Sequence, residues 1–237
     1  MDHYSLAPRV YMCIPTSSAV LLDVKRDAYY GLDPKQTRLL RMLITDERAA
    51  LEAGEYADFH SDDLDSFAKE LVRGGFLQPR TTATLARQIS AVLPPVDEAI
   101  FDPQQPTPTA ISLHHVLCFF YSYISTAFTF RLRSLSHTLD DLGRQPAGDA
   151  TNTDIESVRR LTNVFSTLRP FAYASRDRCL FDSLALLSFL RRYRMRAHLV
   201  IGVRTAPFAA HSWVQFDKYV LNGTANYTRW FTPIVIT

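Results

Sequence analysis

The chain has 237 residues, 47% of them hydrophobic and 21% charged. That is enough apolar material for packed cores, and it excludes wholesale disorder. The formal net charge of +2 is too small to argue for a nucleic-acid binder. The charge is unevenly spread: residues 1–80 carry 10 Lys and Arg against 13 Asp and Glu, and residues 81–237 carry 16 against 11. This fits two units with different partners.

Three cysteines, Cys13, Cys118 and Cys179, stand at wide spacings with no CxxC pair. Neither a disulfide framework nor a zinc site is expected from them, so the metal expectation is none. The N-terminus has acid before base and no apolar segment, so it does not read as a signal peptide. The longest apolar stretch, Val116 to Phe130, is interrupted by Cys118, Ser122, Ser125, Thr126 and Thr129. It is shorter than the ~20 apolar residues a bilayer span needs and reads as a buried core helix, with an interfacial membrane contact as the alternative. A cytoplasmic, reduced protein with no transmembrane segment is the expectation. Nothing resembles a Gly-rich phosphate loop, so no cofactor is expected on this chain.

In chain order, Arg9–Ile14, Ala19–Val24 and Ala28–Leu32 are rich in β-branched and aromatic residues between polar breaks, which predicts a small antiparallel meander. Asp33-Pro34 opens a helix, with Asp33 as N-cap and Pro34 at its first position. Leu64, Phe67, Ala68, Leu71 and Val72 put one apolar face on a second helix over residues 62–72, stopped by Gly74-Gly75. Phe76–Pro79 is a short extended piece. Strands, helices and a wing-like segment over residues 1–82 predict a winged helix-turn-helix. Pro94, Pro95, Pro103, Pro106 and Pro108 mark residues 83–110 as a Pro-rich linker. A helical region from Ser112 to Leu142 follows, then a helix over residues 154–168 with Thr153 and Glu156 as a capping box.

The chemistry concentrates in residues 175–237. Leu180, Phe181, Leu184, Leu187 and Leu190 give a helical pattern just after Cys179. With Asp177 as N-cap, the thiol lies in the first turn, where unpaired N–H groups and the positive dipole end favour thiolate; Arg176 and Arg178 add positive charge. A buried small hydrophobe is the competing reading of a lone Cys. Residues 197–203 read as a buried strand and residues 209–216 as the next, carrying His211; Tyr219–Asn222 returns after a turn at Asp217-Lys218. A Cys at a helix start followed by a strand presenting His suits proton transfer from thiol to imidazole. His198 is the competing base, but it sits inside an apolar run. Arg191, Arg192, Arg194 and Arg196 read as a solvated helix end or as a docking surface for an acidic peptide. Trp213 and Trp230 are candidates to line a cleft, with buried aromatic packing the favoured role for Trp213 on a strand.

Cys179-Leu180, Ala197–Thr205, Pro207-Phe208 and His211–Val214 together resemble the lasso-peptide biosynthesis B proteins, transglutaminase-like cysteine proteases that remove the leader from a lasso precursor. The N-terminal unit, most tellingly Tyr29-Tyr30-Gly31-Leu32-Asp33, resembles the fused recognition element of ribosomally made peptide pathways, a winged-helix relative of the pyrroloquinoline-quinone peptide chaperone. The resemblance implies an α+β chain: a winged-helix recognition unit over residues 1–82, then a transglutaminase/papain-like cysteine protease domain over residues 111–237. It implies Cys179 as nucleophile and His211 as base. Tyr29, Tyr30, Gly31 and Leu32 would form an edge strand that receives the leader, and Trp213 would contact substrate. It further implies a lasso precursor as substrate and a separate ATP-dependent macrolactam synthetase as partner. In the family an Asp orients the imidazole; here Gly223 stands at that position. Asn222 is the favoured replacement, because strand parity puts it on the face of His211. Asp217, Asn226 or no residue at all remain open. The alternatives to a peptidase are a catalytically weak leader-delivery protein and a Cys-His acyltransferase acting on a peptide amine. DNA binding is the weakest option, since residues 1–80 are net acidic.

Overall fold

In a computed structural model the chain divides into two compact units, Met1–Ser90 and Ala91–Thr237. The structure describes residues 4–45, 61–80, 93–100, 110–144, 154–172 and 178–237.

The first unit runs β1 (Tyr4–Leu6), β2 (Val10–Cys13), β3 (Val20–Asp23), β4 (Ala28–Gly31), α1 (Pro34–Thr45), α2 (Ser61–Gly74) and β5 (Leu77–Pro79). β2, β3 and β4 form the expected antiparallel meander in that order. β3 is its central strand and is buried throughout, which is why Val20, Leu21 and Leu22 run apolar without alternation; Asp23 at its end accepts from the Lys25 and Arg26 N–H groups. The sequence did not signal β1, which pairs antiparallel with β5. The Asp33 carboxylate accepts from the Gln36 N–H at 2.7 Å while the Gln36 side chain accepts from the Asp33 N–H, so the start of α1 is doubly capped. Thr37, 4% exposed, donates to the Asp33 carbonyl and accepts from the Ala19 N–H at 2.8 Å, pinning α1 to the start of β3. Leu21, Leu39, Leu40, Met42, Leu43, Leu64, Phe67 and Leu71 fill the core between sheet and helices.

β4 ends the sheet order. The Leu32 N–H donates to the Ala19 carbonyl, and by antiparallel alternation the Gly31 N–H therefore points away from β3. Tyr30 and Gly31 are exposed and Tyr29 is half-buried, but Leu32 is not available to a ligand: it belongs to the core. The expectation for Leu32 is corrected accordingly; it anchors the end of the edge strand.

The second unit runs β6 (Glu98–Ala99), α3 (Leu113–Leu132), α4 (Leu135–Arg144), α5 (Ile155–Leu168), a 3-10 turn (Arg169–Phe171), α6 (Cys179–Arg192), β7 (His198–Thr205), β8 (Phe208–Phe216), β9 (Tyr219–Val220), α7 (Ala225–Thr228) and β10 (Thr232–Ile236). Its five strands lie in the order β10-β7-β8-β9-β6, antiparallel except for the parallel pair of β6 and β9. Part of the Pro-rich stretch is thus built into this sheet, and Pro103, Pro106 and Pro108 lie outside the described residues. α6 packs on β8 and β7 and is covered by α3 and α5. This explains an apolar sequence nearly all round the helix: Phe181, Leu184, Ala185, Leu186, Leu187, Phe189 and Leu190 are all buried.

The stretch expected as a fully buried core helix is only half buried. α3 turns Cys118, Phe119, Ser122 and Thr126 inward and leaves Leu117, Tyr121, Ile124 and Phe128 exposed. No helix among the described residues is long and apolar enough to cross a membrane. At α5 the cap is Asp154, whose carboxylate accepts from the Ser157 N–H at 3.2 Å; the expected cap, Thr153, lies outside the described residues.

Candidate active site

Cys179 is the first residue of α6. Its N–H belongs to the first turn and has no acceptor within the helix, and its side chain stands at the positive end of the helix dipole. The residue before it, Arg178, occupies the cap position with no side-chain hydrogen bond; the expected cap, Asp177, and Arg176 lie outside the described residues. His211 sits on β8, directly opposite Gly202 of β7.

The two side chains meet. The His211 imidazole hydrogen-bonds the Cys179 thiol and is the largest cause of a pKa lowered from 9.0 to about 7. Burial works in the opposite direction. The Ser212 hydroxyl and backbone N–H and the charge of the imidazole favour the thiolate again. The Ser212 hydroxyl is buried and has no hydrogen-bond partner among the described residues. At neutral pH a large share of such a thiol is the nucleophilic thiolate.

An aromatic wall fixes the imidazole. The rings of Trp213, Tyr227 and Phe231 lie with centroids 6.0, 5.1 and 5.3 Å from its own. Trp213 is 1% exposed and its indole N–H donates to the Gln215 side chain at 3.0 Å. It is too deep to touch a substrate, which corrects the expectation for it: it supports His211 from within the sheet's core. Gly202 makes this possible, because a Cβ there would stand 2.8 Å from the indole and 3.0 Å from Phe231. Trp230 is 70% exposed.

The structure does not bring Asn222 to His211. β9 ends at Val220, so the parity that puts residue 222 beside the imidazole is lost two residues too soon. The Asn222 amide instead donates to the Asp182 carboxylate and the Ser183 hydroxyl, each at 3.0 Å, and its oxygen accepts from the Val214 N–H at 2.8 Å. Asp182, buried on α6, also pairs with Arg169 at 3.4 Å. Ser183 donates to the Cys179 carbonyl at 2.8 Å. Asn222 is therefore a clamp between the nucleophile helix and the histidine strand. Sequence reasoning found the residue and missed this role, because Asp182 and Ser183 carry no motif.

The other candidate bases and orienters are engaged elsewhere. His198 hydrogen-bonds the Thr237 carbonyl at 2.7 Å. Asp217 sits at the hairpin turn with φ 50°, and its carbonyl accepts from Gln215. Asn226 accepts from Arg229. The Arg192 guanidinium lies 3.5 Å over the Tyr121 ring. No cluster of His, Cys, Asp and Glu among the described residues has the makings of a metal site.

Comparison with known proteins gives matches at two scales. The microcin J25-processing protein McjB of Escherichia coli is 50% identical over 48 residues, which is 20% of this chain and 23% of that protein. No solved structure matches. Over a longer span, residues 122–236, which contain Cys179, His211 and Asn222, match the Transglutaminase-like superfamily, so this part of the chain is a transglutaminase-like domain.

Proposed function

We propose that this chain is a leader peptidase of lasso-peptide biosynthesis, a cysteine hydrolase with a substrate-holding unit in front. The placement of Cys179 at the start of α6, the helix packed on the sheet strand that carries His211, carries the reading, and the imidazole's lowering of the thiol pKa to about 7 supports it. The similarity to a microcin-processing protein supports the substrate class.

In this mechanism His211 takes the thiol proton and the Cys179 sulfur attacks the carbonyl at the leader–core junction. The Cys179 N–H, unpaired in the first turn, donates to the developing oxyanion. The imidazolium then protonates the leaving core amine, and the leader stays behind as a thioester on Cys179. Water, deprotonated by His211, hydrolyses that thioester and restores the thiol. The freed amine passes to an ATP-dependent macrolactam synthetase.

The first unit is read as a winged-helix recognition element. The leader adds to the outer edge of β4 at Tyr29, Tyr30 and Gly31, where main-chain hydrogen bonds give affinity and neighbouring pockets give selectivity. Tethering there raises the local concentration of the scissile bond.

The test is mass spectrometry of a lasso precursor incubated with the full chain. The wild type releases free leader and core, and Cys179→Ala releases neither while still retaining the leader. Cleavage by Cys179→Ala at the wild-type rate would refute the assignment. A second reading, a delivery protein with weak activity, draws on one observation: the Nε2 of His211 is buried without a hydrogen-bond partner. Binding without turnover by the wild type would favour it, and an amine adduct of the leader would mark an acyltransferase instead.

A further inference from the structure

Four buried polar atoms beside the candidate active site have no partner among the described residues: Oγ of Ser212, Nε of Arg204 and, taken as a pair, Nε2 of His211 and Oγ1 of Thr228. Thr228 is 1% exposed. It ends α7, and the residues around it reach the imidazole: the rings of Tyr227 and Phe231 both lie against His211, and the Phe231 N–H donates to the Thr228 carbonyl. The Thr228 hydroxyl faces Gly223, where a Cβ would stand 3.9 Å from Oγ1 and 3.6 Å from Val220. Val220 in turn packs with Trp213 and Phe231, two of the three rings around His211. Unpaired buried donors and acceptors are costly, and native proteins commonly satisfy such pairs with one enclosed water.

We propose that Thr228 is a positioning residue for His211, holding Nε2 through one water bridged to its hydroxyl in the space that Gly223 leaves open. The inference rests on reading His211 as the base for Cys179. With the Nε2 proton accepted by the water, the ring keeps its other nitrogen toward the thiol, and the imidazolium that forms on proton transfer keeps an acceptor. A carboxylate does this through charge; a hydroxyl and a water do it through hydrogen bonding alone, which fixes the tautomer with less stabilisation of the cation. The titratable and charged groups around the imidazole are Cys179 from α6, Tyr227 from α7 and Arg204 from β7, whose guanidinium lies 5.5 Å over the Phe231 ring. Asp182 is committed to Arg169 and Asn222.

The test is the pH dependence of iodoacetamide alkylation of Cys179 in the full chain, with Cys13 and Cys118 replaced by Ala in every sample. Thr228→Val keeps the shape and removes the hydroxyl; Thr228→Ser keeps the hydroxyl and removes a methyl. The expected result is a midpoint raised by about one pH unit in Thr228→Val, with Thr228→Ser within a few tenths of the parent. An unmoved midpoint in Thr228→Val, or an equal rise in both variants, overturns the proposal; the second outcome would assign Thr228 to packing. Alkylation needs no peptide, so a failure of the leader-peptidase reading, seen as no cleavage by the wild type, is separate from a failure of the relay.

Discussion

The side-chain amide of Asn222 and the hydroxyl of Ser183 are 3.0 Å apart, and through that bond the segment just after β9 grips the start of the helix that carries Cys179. The same amide reaches the Asp182 carboxylate and the Val214 N–H. Removing it strips three buried or half-buried groups of a partner at once. Asn222→Leu is therefore expected to destabilise the chain by about 2–4 kcal/mol, read as a lower urea midpoint. Asn222→Asp is expected to be worse, since it sets a second carboxylate against Asp182. A change below about 0.5 kcal/mol for Asn222→Leu would mean that the clamp does not carry load.

Much of this was legible in the sequence, and what was missed has a common cause. The meander and the cap at Asp33 follow from local periodicity and turn chemistry, which act within a few residues; the pairing of Cys179 with His211, far apart in the chain, is an expectation that only the family resemblance supplies. Roles set by long-range packing were not legible. β1 is three residues long and acquires strand character only from its pairing with β5, the extended piece that the sequence does signal. Asn222 was placed beside His211 by parity, a rule that holds only while the strand continues, and β9 is two residues long. For Trp213 the strand pattern favours buried packing but does not say which face is the core, so it leaves a substrate contact open that the 1% exposure of the residue closes. α3 carries apolar residues on all sides, so the pattern alone does not distinguish a buried helix from one with an exposed stripe.

The titration of Cys179 gives a signed pH prediction. Its folded pKa lies at about 7 against 9.0 for an ordinary thiol. Alkylation should therefore accelerate as pH rises through about 7, and at pH 7 about half the protein holds thiolate, against on the order of one in a hundred for an unperturbed thiol. His211→Ala removes the largest lowering cause and leaves burial, which raises the value, so the midpoint should move up by more than one unit. Ser212→Ala, which keeps the backbone N–H, should move it less. A His211→Ala midpoint equal to that of the wild type would separate the two residues functionally.

Gly202 is predicted to be intolerant of any side chain. A Cβ there meets the Trp213 indole at 2.8 Å and Phe231 at 3.0 Å, and both rings flank His211. Gly202→Ala should cost about 1–3 kcal/mol through overpacking and should slow Cys179 alkylation by displacing the imidazole. Gly202→Ala with Trp213→Phe, which shortens the offending ring, should recover part of both losses. Thermal melts and alkylation rates on the same samples check the coupling.

The edge of β4 offers the sharpest separation between holding a leader and cutting it. Antiparallel alternation turns the Gly31 N–H outward, away from β3. A Cβ at residue 31 meets nothing within 4 Å. Gly31→Pro therefore removes one outward donor while leaving the bonds between β3 and β4 in place, and it also blunts the edge against strand addition. Leader affinity should fall about tenfold or more by fluorescence anisotropy with a labelled leader peptide, a loss of ~1.4 kcal/mol. Gly31→Ala, which retains the donor, should bind within twofold of the wild type. Cys179 alkylation should be the same in all three proteins, because the thiol's partners, His211 and Ser212, belong to the other unit. If Gly31→Pro binds the leader as tightly as Gly31→Ala, the leader does not add to this edge, and the holding surface must be sought elsewhere on the first unit.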